Sequence, residues 1–145
     1  MKLPTSVREQ FRAHGRQGGR KRAARMSPES RSRVARLAAI RRWIRKRFGA
    51  PTFGSLGLPG GEAVDAGLAA LAAGEESVES LMVSLSASRL RMEGVPLPRA
   101  VFVEADVRLY RRLDRTEGDL AHARYLACLR LLTSFANSCS RARVM

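Results

Sequence analysis

Apolar positions recur at helical spacing through most of this chain, and nowhere do they alternate for long enough to make a strand. The clearest pattern opens at Ser27-Pro28-Glu29, which supplies an N-cap, a proline at the first helical position and an acid in the first turn. From there Val34, Leu37, Ile40, Ile44 and Phe48 fall on one face until Gly49-Ala50-Pro51 stops the run. This predicts an amphipathic helix over 28 to about 47. Upstream, Ser6 with Glu9 three residues later has the form of a capping box and predicts a short helix to about residue 14. Gly15-Arg16-Gln17-Gly18-Gly19-Arg20-Lys21-Arg22 comes next. Its three glycines disfavour helix, so the spacing predicts a mobile arm that orders when it meets a partner.

Residues 49–61 hold five Gly and two Pro and read as a linker, with Phe53, Leu56 and Leu58 able to tuck against the body. Past residue 61 every pattern is helical: 62–73 closed by Gly74, then 75–94 through Leu81, Met82, Leu85 and Leu90. Val95-Pro96-Leu97-Pro98 breaks that second helix. Val101-Phe102-Val103 fits a short extended piece or a packed loop, and Gly118 separates helices over 104–117 and 119–140. The last of these is apolar over most of its circumference (Leu120, Tyr125, Ala127, Cys128, Leu131, Leu132, Phe135). It reads as a central core helix, or as one that buries its excess against another chain. The expected fold class is therefore all-α: a mobile basic arm and an amphipathic basic helix, followed by a small helical bundle. The expected domains are 1–48, a linker at 49–61 and a body at 62–145.

Charge sharpens that division. The chain has 145 residues, with 27 Lys+Arg against 13 Asp+Glu, a net charge of +14. Residues 1–48 carry 16 of the basic residues and only Glu9 and Glu29 as acids, so the whole excess lies there; residues 49–145 balance 11 Arg against 11 acids. Such asymmetry implies an arm for a polyanion joined to a neutral body. A solvated tail that only raises solubility is the plain alternative, but so dense a charge binds polyanions by counterion release in any case. The apolar face of helix 28–47 suits a core helix equally well. Eight Arg/Lys against one acid over the same stretch go beyond what a solvated face requires.

Several classes fall away. Gly-x4-Gly-Lys-Ser/Thr is absent, which removes the usual phosphate loop of nucleotide-binding enzymes. Two Cys in 145 residues exclude a disulfide scaffold, and no metal or cofactor is expected. No run approaches 18 apolar residues, and the opening Met1-Lys2-Leu3-Pro4-Thr5 is not the start of a signal peptide, so a cytoplasmic protein off the membrane is expected. Cys128 and Cys139, eleven residues apart on one helix, are about 16 Å apart and cannot pair; Cys128 reads as a buried thiol and Cys139 as a tail thiol. Trp43 fits packing onto the body better than stacking on a base.

The candidate nucleic-acid contacts are Arg16, Arg20, Lys21, Arg22, Arg25, Arg31, Arg42, Arg45 and Lys46. On the body, Tyr110 and Tyr125 are candidate core or interface aromatics. Arg124, placed within the apolar arc of the last helix, needs an acid such as Asp114 or Glu117, or serves as an anchor for a partner.

Two resemblances bear on function. Gly18-Gly19-Arg20-Lys21-Arg22-Ala23-Ala24, then Ser27-Pro28-Glu29 and an Ala/Arg helix reaching Trp43, resembles a segment of small bacterial proteins, some of them antitoxin-like or regulator-like. That resemblance covers roughly residues 15–43 and implies a DNA-binding antitoxin or small transcriptional regulator in a toxin–antitoxin system, whose body binds a partner such as a cognate toxin. Separately, Arg115 to His122 resembles the Arg-x(4–6)-His signature of HEPN ribonucleases, small helical proteins often found as toxins. There the His would activate a ribose hydroxyl and the Arg would steady phosphate charge. Thr116 stands where that family commonly has Asn, Asp or His, and Gly118 intervenes, so His122 fits the polar edge of the last helix. The expectation is a non-enzymatic protein that binds nucleic acid, DNA ahead of RNA, with a protein partner; a homodimer would also use the apolar last helix.

Overall fold

The computed structural model describes residues 4–142, and every regular element among them is helical. The chain divides into two compact units, Met1–Ala35 and Arg36–Met145.

In the first unit, α1 spans Thr5–Arg25 and α2, Pro28–Phe48, begins. The predicted break at Gly15–Arg22 does not occur: α1 runs through Gly15, Gly18 and Gly19 without interruption. Ser6 is not its cap either; Pro4 holds that position with no side-chain hydrogen bond, and Ser6 lies inside the first turn. No residue of α1 is buried. Met26 is extended and ends the helix, and Ser27 starts α2 as its sequence predicts. Its Oγ accepts from the Ser30 N–H at 3.1 Å, satisfying one of the free donors of the first turn. Val34, assigned to the apolar face of α2, is 44% exposed.

The second unit contains the core. It takes in the C-terminal part of α2, where Ile40, Ile44 and Phe48 are buried four residues apart. Then come α3 (Gly61–Ala73), α4 (Val78–Leu85), α5 (Ala87–Met92), α6 (Ala105–Glu117), a 3₁₀ turn (Gly118–Leu120) and α7 (Ala121–Arg141). α3 packs on α4, α4 on α6, and α6 on α7. At the α3–α4 crossing a β-carbon on Gly67 would stand 2.5 Å from both Glu79 O and Val83 Cγ2, so only glycine permits that approach.

The stretch expected as a linker is part of this core. Phe53 is fully buried and sits in a chain of edge-on aromatic pairs: Trp43–Phe48 (5.7 Å between centroids), Phe48–Phe53 (5.4 Å) and Phe53–Phe135 (5.0 Å). That chain ties α2, the 49–60 turn and α7 together. Asp65 fixes the turn from α3, its carboxylate accepting from the N–H groups of Phe53 (3.1 Å) and Gly54 (2.7 Å). The body therefore begins at Arg36 rather than at residue 62.

Local signals explain some helix ends. Gly74 (φ 70°) closes α3 with a Schellman pair, Glu75 N–H to Ala70 O at 2.8 Å and Gly74 N–H to Leu71 O at 3.1 Å. The helix expected over 75–94 starts later and breaks once. Ser77 caps α4 reciprocally with Ser80. Near its end, Ser84 and Ser86 turn their hydroxyls onto the carbonyls of Ser80 and Met82, a competition with the helical ladder that accompanies the break at Ser86. Val101 and Phe102 form a packed loop, with the Phe102 N–H donating to Ser84 Oγ at 3.1 Å, while Val103 is exposed.

The last helix is less enclosed than its composition suggests. Phe135 and Leu132 are buried, but Leu131 is exposed, Tyr125 and Cys128 are half-buried, and Leu120, in the 3₁₀ turn before α7, is exposed. The two thiols exchange the environments expected of them. Cys139 is fully buried, whereas Cys128 is the half-buried one.

Candidate nucleic-acid interface

The nine candidate contacts divide between the two units. Arg16, Arg20, Lys21, Arg22 and Arg25 lie on α1 and Arg31 on the first part of α2; Arg42, Arg45 and Lys46 lie on the part of α2 that belongs to the body. All nine are exposed. On α1 the arginines at 8, 12, 16 and 20 succeed one another at intervals of four, which makes a slowly winding stripe. Like charges at that spacing destabilise a helix by roughly 0.2–0.5 kcal/mol per pair, and each glycine costs up to about 1 kcal/mol relative to alanine. Nothing buried offsets these costs in α1.

The second half of α2 is different in kind. Its inner face is held by Ile40, Ile44 and Phe48, so its outer residues project from a fixed support. Arg36, at the start of this unit, donates from Nη1 to Ala72 O near the end of α3 at 3.3 Å, a favourable place for a cation. Arg45, Lys46 and Arg47 occupy the last turn of α2, where the helix dipole also favours positive charge. Between the charges on the outer face stand Ala38 and Ala39, both exposed and too short to hold a partner away from the helix. Trp43 packs on Phe48 and the core rather than standing clear as a stacking platform.

The ion pairs among the described residues fall on three arginines of α6 and α7. Arg108 pairs with Glu76, Arg112 reaches the same carboxylate at 3.7 Å, and Arg124 reaches Glu117 at 3.6 Å. Arg108 also lies over the Phe102 ring, 5.1 Å from its centroid. No described basic residue before Phe48 makes an ion pair.

The partner-binding candidates are brought together in part. Tyr110 of α6 and Tyr125 of α7 meet edge to face at 5.5 Å, with the ring of His122 at 6.2 Å from Tyr110. Tyr110, Val107 and Leu120 are exposed large side chains. Arg124 has the acid foreseen for it, Glu117, and its side chain remains mostly in solvent. Burial pushes the Cys128 thiol above its ordinary range, opposed by the positive charge of Arg124 and reinforced by Glu79. Arg115 and His122 lie on α6 and α7, with Gly118 ending the first helix, and no hydrogen bond joins them. The described residues contain no cluster of His, Cys, Asp or Glu able to hold a metal, and no helix long and apolar enough to cross a membrane.

Sequence reasoning missed Arg36 as a helix-capping group and the three exposed arginines, Arg89, Arg91 and Arg99, in and around the loop that follows α5. The first needs the contact between α2 and α3; the second is hidden by the zero net charge of residues 49–145. Comparison with known proteins finds no matching family model, no similar curated protein and no similar solved structure.

Proposed function

We propose that the protein is a non-enzymatic DNA-binding protein of the antitoxin or small-regulator kind. The observation that carries this reading is the dense run of exposed cations over α1 and α2, none of which makes an ion pair among the described residues. A surface of that kind lowers its own electrostatic energy by meeting phosphates and releasing their counterions. In this reading Arg16, Arg20, Lys21, Arg22, Arg25 and Arg31 supply affinity through phosphate contacts. Arg42, Arg45 and Lys46, on a helix braced from behind, set the position of the protein on the duplex.

Duplex DNA is favoured over RNA by the shape of the anchored element. The major groove of B-form DNA admits an α-helix, whereas that of A-form RNA is too deep and narrow for side chains to read. Small residues between the cations of α2 leave room for close approach. The body's role is protein recognition, with Tyr110, Tyr125 and Arg124 at the contact with a cognate toxin or similar partner, since aromatic and arginine side chains dominate such interfaces.

The test replaces Arg42, Arg45 and Lys46 together by alanine and measures binding to a labelled DNA duplex. The expected result is a clear loss of affinity with an unchanged melting temperature. Equal affinity for the two proteins would remove α2 from the interface and contradict the reading.

A further inference from the structure

The zero net charge of residues 49–145 conceals an uneven distribution. Over residues 86–100 the chain carries Arg89, Arg91 and Arg99 with Glu93 as the one acid, and all three arginines are exposed. The fold brings this stretch against α2. After α5, Gly94 turns the chain through a left-handed conformation (φ 82°), and the buried Val95 anchors it, its N–H donating to Leu90 O at 2.9 Å. A β-carbon at Gly94 would lie 3.5 Å from Trp43 Cζ2 and 3.9 Å from Arg47 Nη2. The turn therefore rests on the indole of α2 with the Arg47 guanidinium beside it. From the other end, Arg91 Nη2 donates to Pro98 O at 3.0 Å and to Arg99 O at 3.4 Å, which braces the loop over 94–99.

The guanidinium groups of Arg47 and Arg91 thus meet one short, braced loop next to the basic helix, and the exposed Arg99 stands at the far end of that loop. Like charges on one short segment and the adjoining helix end repel one another, most strongly at low salt. An anion at the loop reverses the sign of that term. Arg91 is suited to two tasks at once. Its carbonyl contacts occupy Nη2, leaving the Nε and Nη1 donors of the guanidinium for a phosphate, a division that a lysine's single ammonium does not offer.

We infer that Arg47, Arg91 and Arg99 form a second phosphate-binding element, in which the loop over 94–99 holds the DNA backbone beside the groove that α2 enters. The inference rests on the proposed DNA-binding function and adds to it a part of the body that the charge balance of the chain does not reveal.

The test uses the full chain and a labelled duplex of about 20 base pairs, with affinity measured over a range of salt. Three variants are compared with the unaltered protein: Arg99→Ala, Arg91→Ala with Arg99→Ala, and a control, Arg111→Ala with Arg115→Ala. The control removes the same charge from exposed positions on α6. Each lost phosphate contact makes the plot of log K against log salt shallower by about 1. The expected changes are about 1 for Arg99→Ala, roughly 2 for the double variant and none for the control. Arg99→Ala removes a side chain that braces nothing, so it keeps the test valid if loss of Arg91 loosens the loop.

Equal changes in the double variant and the control would reduce the loop to diffuse charge and overturn the inference. So would unchanged slopes in both loop variants while the unaltered protein binds DNA; the proposed function would then stand without it. Absence of duplex binding by the unaltered protein would overturn both. Stronger binding to structured RNA than to the duplex would overturn the assignment of the loop to DNA.

Discussion

Single residues in this protein matter most where they replace absent secondary structure. Asp65 is the clearest case, because it satisfies two successive backbone N–H groups in a turn rich in glycine and proline and so seats Phe53 in the core. Hydrogen bonds to a charged group are worth about 1.5–3 kcal/mol each in net terms. Asp65→Ala is expected to cost about 2 kcal/mol or more in urea unfolding, whereas Glu62→Ala, at an exposed position on the same helix, should stay within about 0.5 kcal/mol. Equal costs would mean that the turn is held by Phe53 alone. At this scale the sequence was partly legible. Gly74, Ser27 and the Glu117 partner of Arg124 are consequences of local rules. The contact from Asp65 to residues 53 and 54 is not, because it joins a helix to a loop eleven or twelve positions away.

Elements divide into those held by packing and one that is not. The later helices bury at least part of one face, and side-chain or glycine caps mark the start of α2, the end of α3 and the start of α4. α1 buries nothing and carries three glycines. Propensity argued for a break there, and the structure shows a continuous helix; propensity is a weak guide to where a helix stops, although it still sets the helix's stability. The consequence is testable. Replacing Gly15, Gly18 and Gly19 by alanine meets no atom within 4 Å and no unusual backbone angle. The substitutions should raise helicity by circular dichroism without shifting the main melting transition. They should also tighten DNA binding severalfold, because a preformed helix no longer loses entropy on contact. Unchanged helicity would show that α1 is already fully formed in the free protein. The break at Ser86 was illegible for a different reason: the apolar spacing of Leu81, Leu85 and Leu90 runs through it, and the competing serine hydroxyls leave no mark on that period.

For the whole molecule, the boundary that matters falls between Ala35 and Arg36. Composition suggested a cut after Phe48, because glycine and proline are dense there and because the basic charge of α2 outweighed its visible apolar face in assigning it to the arm. The aromatic chain from Trp43 to Phe135 shows why that cut divides a core. Removing residues 1–35 is expected to leave a cooperatively unfolding protein. Removing 1–48 also takes away Ile40, Ile44 and Phe48; buried side chains of this size cost about 2–5 kcal/mol each when truncated, against a total stability of about 5–15 kcal/mol. That shorter protein should lack a cooperative transition by thermal circular dichroism. A sharp transition in it would return the C-terminal half of α2 to the arm.

The same boundary distributes the charge. The second unit retains six cations over 36–47 as well as the loop after α5, so DNA binding is not confined to the arm in this account. The most direct measurement is the affinity of the full chain for a labelled DNA duplex and for structured RNA, taken from about 50 to roughly 300 mM salt. For a protein that neutralises several phosphates, log K falls linearly with log salt by about 0.9 per contact. A steep line for the duplex, lying above that for RNA, is the expected result. No duplex binding at the lowest salt, an affinity indifferent to salt, or tighter binding to RNA would contradict it.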